Sequence, residues 1–243
     1  MKTDESGTSM SPSNADMPLH TDMPLHTDIK VISVNVGLPR EVAVNGGTVS
    51  TGIFKHAVSG VIRVERLNLV GDRQADLSVH GGPYKAVYAY PSEHYDYWRR
   101  ELVEDELLWG MFGENLTTEG LHESAVYIGD RYRFGTAELV VTQPRSPCYK
   151  LGIRFGRPEM VKRFLHSGRS GFYFAVGQEG EVSAGDSIEL LSRDANSLSV
   201  FDINKLYASE KNDREMLLRA SRLEALPESW RGYFLERLES IAG

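Results

Sequence analysis

Ala125-Val126-Tyr127-Ile128-Gly129-Asp130-Arg131-Tyr132-Arg133-Phe134-Gly135-Thr136-Ala137-Glu138-Leu139-Val140-Val141 sets two runs rich in β-branched and aromatic residues on either side of a Gly-Asp pair. Both runs, 125–128 and 131–141, have the composition of strands, and Gly129-Asp130 has the chemistry of a turn. The same grammar recurs in both directions. Toward the N-terminus, residues 85–90 and 61–70 read as strands, the second with Arg63, Glu65 and Asn68 among its apolar residues and Gly71-Asp72 at its end. Residues 29–36, IKVISVNV, stop at Gly37 and Pro39. Toward the C-terminus, 171–176 and 187–191 follow the pattern, the latter behind Gly185-Asp186. Many short strands with turn signals predict a mainly β barrel or sandwich.

A few short helices interrupt it. The stretch from Pro91 to Trp98 has proline near a helix start and acidic residues in the first turn, both favourable there. Residues 158–165 carry Met160, Val161, Phe164 and Leu165 at helical spacing. From Ser197 to the end the pattern becomes three helices, one over 200–208, one near 213–226 and one starting at Pro227. Met216, Leu217, Ala220 and Leu223 share a face of the second; Trp230, Tyr233, Phe234 and Leu238 recur on the third. A segment of roughly 45 residues is marginal alone, so these helices are expected to pack on the barrel or on a partner. Residues 1–28 lack an apolar cluster and repeat Asp16-Met17-Pro18-Leu19-His20-Thr21 as Asp22-Met23-Pro24-Leu25-His26-Thr27. Two copies of six residues make no solenoid, and the segment reads as a disordered, solvated tail. The organisation is therefore a tail (1–28), a β domain (29–192) and a helical extension (197–243).

With 41% hydrophobic and 25% charged residues, the 243-residue chain has the make-up of a soluble globular protein. A net charge of −7 argues against nucleic-acid polymers and anionic membranes as partners. No apolar run approaches the roughly 18 residues that cross a bilayer, and no cationic start precedes an apolar stretch. One cysteine excludes an internal disulfide and a Cys-x-x-Cys metal site. The expectation is a cytoplasmic protein.

The one cysteine lies in Thr142-Gln143-Pro144-Arg145-Ser146-Pro147-Cys148-Tyr149-Lys150. Its two prolines are expected to stop the strand and fix a loop. From 139 to 158 there is no Asp or Glu, while Arg145, Lys150, Arg154 and Arg157 are positive. Nearby cations favour a thiolate, which is both nucleophile and soft metal ligand, and cationic side chains suit phosphate. A lone cysteine is more often an inert buried residue; on the residues alone both readings stay open. A second cluster, residues 71–85, offers Arg73, His80 and Lys85 as donors around Gly81-Gly82-Pro83, where backbone can approach a ligand closely. It has neither the Lys-Ser/Thr ending of a P-loop nor a dinucleotide fingerprint. In a third, residues 110–118, Asn115 either bonds a heterocycle edge or satisfies its own turn. A Cys–His hydrolase with His80 or His122 as base also stays open.

Taken in order, these clusters resemble the MOSC family, named for the C-terminal domain of molybdenum-cofactor sulfurases. The resemblance rests on GDRQADLSVHGGPYKAVYAY (71–90), FGENLTTEGL (112–121), residues 128–130, TQPRSPCYK (142–150) and the Ser183-Ala184-Gly185-Asp186 turn, within about residues 30–192. The segment beyond Ser197 is similar to the three-helix extension of the bacterial YiiM-like subgroup. The resemblance implies a MOSC-type β-barrel with a pocket for a molybdopterin-type molybdenum cofactor, and Cys148 as the molybdenum ligand and catalytic residue. Arg145, His80, Lys85 and Asn115 would hold the pterin or its phosphate, with Arg73, Lys150, Gly81 and Gly82 beside them. It further implies reduction of N-hydroxylated compounds, hydroxylaminopurine-type base analogues and amidoximes, with electrons from a separate flavin reductase. A homo-oligomer would be compatible with all of this. The alternative is a non-catalytic carrier of cofactor or sulfur, using a Cys148 thiolate or persulfide.

Overall fold

The structure, a computed structural model, describes residues 28–44, 46–76, 81–103, 105–208 and 213–241. Thirteen strands run through them in chain order: β1 Lys30–Val36, β2 Arg40–Val44, β3 Gly47–Thr51, β4 His56–Val58, β5 Ile62–Glu65, β6 Asn68–Leu69, β7 Val87–Pro91, β8 Leu116–Glu119, β9 Arg131–Phe134, β10 Ala137–Pro144, β11 Phe172–Gln178, β12 Gly180–Val182 and β13 Ile188–Ser192. Eight form one sheet, ordered β13-β9-β10-β11-β7-β8-β1-β4, in which only β7 and β8 pair in parallel. β12-β5-β6 and the β2–β3 hairpin lie outside it.

This sheet closes on itself. The Val31 and Ile188 N–H groups donate to the Asp186 and Ile29 carbonyls at 2.9 and 2.7 Å, and the Gly185 N–H donates to the Val31 carbonyl at 2.8 Å. β1 thus gives the start of one edge to the segment entering β13, while Val34–Val36 pair with β4. Closure satisfies edge groups that an open sheet would leave unpaired, and the expected barrel is present.

The first run of the diagnostic stretch, 125–128, is no strand. Its Ile128 N–H donates to the Leu198 carbonyl at 2.9 Å, and Tyr127 makes a single bridge to Ser199, so its partner is the chain entering the helical extension. The second run folds as the β9–β10 hairpin, broken at Gly135 (φ +56°), where a Cβ would stand 2.3 Å from the Glu181 carbonyl oxygen. Residues 61–70 likewise divide into β5 and β6. Pro91 is the last residue of β7, so the helix after it, α1 (Glu93–Glu101), begins two residues later than the proline signal suggested.

Two helices follow the cysteine: α2 (Tyr149–Phe155), which the proline-rich context concealed, and α3 (Met160–Ser167). With α1 they build a second core in which Tyr90, Tyr95, Trp98, Phe112, Phe155 and Phe164 pack together. The Trp98 indole N–H donates to the Tyr90 hydroxyl at 2.7 Å. The extension forms α4 (Val200–Ala208), α5 (Arg214–Ser221, with the Asp213 carboxylate accepting the Met216 N–H) and α6 (Glu228–Ser240). Val200, Ile203, Leu206, Leu217, Ala220 and Phe234 join the barrel's own core, beside Phe134, Leu139 and Phe174. The helices therefore pack on the barrel. No helix among the described residues is long and apolar enough to cross a membrane.

Candidate functional site

β10 runs further than its prolines suggested: Gln143 pairs with Tyr173, and Pro144, which has no N–H to give, is the last residue of the ladder, opposite Phe172. The Arg145 N–H then donates to the Gly171 carbonyl at 3.3 Å, and the chain crosses to α2, whose first turn accepts at the Cys148 carbonyl from the Leu151 N–H (3.0 Å). Arg145 is buried. Its guanidinium lies 4.8 Å from the Tyr88 ring centroid and 5.0 Å from that of Phe164, and it donates to the Tyr88 hydroxyl at 3.5 Å. Tyr88 in turn donates to the Ser170 carbonyl at 2.9 Å. Burial holds the Tyr88 and Tyr173 phenols above their ordinary range, so both are neutral beside a permanent cation.

These groups open onto a cleft with an empty volume of about 690 Å³, counting its mouth. Cys148, half-buried, stands in its wall together with Arg145, Lys150, Lys85, Arg73, Asn115 and Gly81. Gly82, with φ +81°, is not in the wall; its carbonyl accepts the Lys85 N–H and starts the turn that carries Lys85. Burial pulls the Lys85 ammonium below its ordinary pKa. His80 lies outside the described residues. His122 does not line the cleft; its Nε2 is 3.4 Å from a Glu93 carboxylate oxygen.

Asn115 bonds neither its own turn nor open space. Its Oδ1 accepts the Tyr88 N–H at 3.1 Å, and its Nδ2 donates to the Asp72 carboxylate (2.8 Å) and the Asn35 carbonyl (3.3 Å). Asp72 also accepts the Gly37 N–H at 2.9 Å and forms a buried ion pair with Lys55. Below this network Glu114, buried and pushed above the ordinary carboxyl range by desolvation, gathers the Gly110 and Phe112 N–H groups and the Thr117 and Tyr95 hydroxyls. The Gly110–Asn115 loop is thus fixed from inside.

Sequence reasoning passed over Lys55, Gly52, Tyr88 and Tyr173, all in the cleft wall. Lys55 offers a faint signal as the one cation in Thr51–His56. Nothing distinguishes the tyrosines from core aromatics. Gly52 matters because a Cβ there would lie 2.4 Å from the Arg73 carbonyl oxygen, so only glycine lets these two wall segments meet. Among the described residues the wall holds five cationic side chains, Lys55, Arg73, Lys85, Arg145 and Lys150, and no carboxylate, with Lys55 answered from behind by Asp72. In a chain of net charge −7, a concave surface of this sign concentrates anions.

A buried pair supports the Arg145 strand from behind. His94 Nε2 lies 2.9 and 2.8 Å from the two Glu123 oxygens, and Glu123 accepts the Gly171 N–H at 2.7 Å, on the residue whose carbonyl receives Arg145. Burial pushes the Glu123 carboxyl up, but His94 and the Gly171 N–H outweigh it, and the net direction is down from the ordinary 4.5. A folded-state value below the unfolded one gives stability that is complete above the unfolded pKa and lost as pH falls through the folded one. The stability gap between wild type and Glu123→Gln is therefore expected to shrink as pH falls below about 4.5. Urea unfolding across that range reads it; a gap that widens toward acid would contradict the assignment.

Comparison with known proteins bears on the same residues. Family profiles for the MOSC domain and for the YiiM-like 3-alpha helix domain match residues 76–189 and 198–240. The uncharacterized protein YflK of Bacillus subtilis is 42% identical over 211 residues, 87% of this chain and 95% of that protein. A protein named a reductase from Gibberella moniliformis is 34% identical over 181 residues, covering 73% of this chain and 32% of its own. The crystal structure of YiiM from Geobacillus stearothermophilus matches with a TM-score of 0.72 at 35% identity, over 86% of this chain and 99% of that one.

Proposed function

The chain belongs to the MOSC family, in its YiiM-like branch, and from that premise we propose that it is a molybdenum-cofactor oxidoreductase that reduces N-hydroxylated compounds. The observation that carries the proposal is the cleft itself: among the described residues, one thiol and five cationic side chains, of which Lys55 is paired with Asp72, stand around a concave wall that no carboxylate lines. That donor set fits an anionic group that bears both a soft metal and a phosphate. The reductase name of the Gibberella relative supports the redox class; the substrate class rests on the resemblance to the YiiM-like subgroup.

In this reading Cys148 is the metal ligand, since thiolate is the softest donor in the wall. Arg145 cannot swing away, because two rings and the Tyr88 hydroxyl hold it, and it presents positive charge that needs no reorganisation. Lys85, Lys150 and Arg73 neutralise further negative charge, and Gly81 lets backbone approach. Asn115 serves by locking the β7 strand and Asp72, since its amide is already committed. When bound, the cofactor supplies two-electron removal of oxygen from an N–OH group. Overall R–NHOH, two protons and two electrons give R–NH2 and water, the electrons coming from a separate flavin reductase. A single thiol that must stay reduced suits a cytoplasmic setting.

The test is turnover. Protein made in a host that synthesises molybdenum cofactor, given a competent flavin reductase, is expected to convert hydroxylaminopurine or a simple amidoxime to the amine. Loaded protein that converts neither overturns the proposal. A persulfide found on Cys148 by mass spectrometry in that inactive protein would move the assignment to a sulfur carrier.

A further inference from the structure

We propose that Arg40 and Arg154, gathered against the Phe54 ring at the edge of the cleft, form a phosphate subsite. Arg40 Cζ lies 3.5 Å and Arg154 Cζ 5.0 Å from the Phe54 centroid. All three residues are tied to the cleft wall: Arg40 pairs with Thr51, Phe54 sits between Ile53 and Lys55, and Arg154 follows Lys150 by one turn of α2. One cation over a ring is ordinary packing. Two on one ring are not explained so, because they repel, and among the described residues the carboxylate that acts on Arg154, Glu114, is already committed to the Gly110 and Phe112 N–H groups and the Tyr95 and Thr117 hydroxyls.

Among the described residues neither guanidinium has an ion pair or a hydrogen bond, and the Arg154 Nε is buried without an acceptor. The contrast with Arg157, three residues on and paired with Asp105 at 3.5 Å, is direct. Burial and then the Arg40 charge work against the Arg154 cation, and the smaller opposing effects of Tyr95 and Glu114 do not restore it. A phosphate answers all of these at once, since its oxygens accept bidentate bonds from planar guanidinium forks and its charge cancels their repulsion. The subsite stands whether or not the redox reading does, because the phosphate can belong to a bound cofactor or to a nucleotide-type substrate.

The test uses full-length wild type and Arg40→Ala, an exposed position whose loss should leave the melting temperature unchanged. Each is titrated with adenosine and adenosine 5′-monophosphate, and each is assayed for molybdenum and pterin after dialysis. If the phosphate is the substrate's, wild type prefers the monophosphate by about tenfold or more and Arg40→Ala loses that preference. If it is the cofactor's, neither protein prefers the monophosphate, and Arg40→Ala retains less molybdenum and pterin. Unchanged nucleotide preference together with unchanged cofactor retention, in Arg40→Ala and also in Arg154→Gln, overturns the subsite. Both readouts measure binding, so a failed turnover assay leaves them interpretable.

Discussion

Cys148→Ser, made in a cofactor-synthesising host, is expected to purify without molybdenum, whereas wild type should carry about one metal per chain. The substitution exchanges sulfur for oxygen at nearly constant shape, and the position is only half-buried, so the fold has little reason to respond. The chemical change is large, because a serine hydroxyl keeps its proton at neutral pH and is a hard donor where a soft one is wanted. Loss of an outer-shell partner alone lowers metal affinity roughly 10–100-fold, and loss of the ligand should exceed that. Metal and pterin analysis decides it. Equal metal in both proteins would remove Cys148 as the ligand and leave the oxidoreductase reading without its central residue.

Asp72→Ala should produce the largest loss of stability at the site. Asp72 is fully buried and answers Lys55, the Asn115 amide and the Gly37 N–H together. Removing it strands a buried ammonium, a change that typically costs about 3–5 kcal/mol, against a total stability on the order of 5–15. The denaturant midpoint should fall accordingly. The double replacement Lys55→Met with Asp72→Leu removes the stranded charge and is expected to recover part of the loss, although Asn115 and Gly37 stay unanswered. If Asp72→Ala unfolds at the wild-type midpoint, the ion pair does not hold these wall segments together.

The sequence made the barrel legible because its strands announce themselves twice, by composition and by the turns that bound them. Where the backbone partner lay far along the chain, or an element was too short to show a period, the reading went astray. Residues 125–128 have strand composition, yet their backbone partners belong to the chain entering α4, a long-range choice no local pattern encodes. α2 has helical residues after Pro147, but a seven-residue helix containing a glycine gives no periodicity to count. The cleft was legible where a residue type is unusual for its surroundings: a single thiol, a run of cations without acids, a di-glycine turn. Tyr88 and Tyr173 were not, because a tyrosine in a strand looks the same whether it faces a core or a cavity. Asn115 stood out in its loop by residue type, but only the structure showed its amide spent on Tyr88, Asn35 and Asp72.

The seam that closes the barrel joins residues 29–31 to residues 185–188. On the ribosome the first of these emerges early and must wait for more than half the chain before its partner exists. Until then β1 has an unpaired edge, the kind of surface that recruits wrong neighbours. Every residue of the cleft wall falls between the two halves of that seam, from Thr51 to Tyr173. Synthesis therefore delivers all the parts of the site before it delivers the clasp, and a growing chain holds no finished cleft until its last strand has left the tunnel.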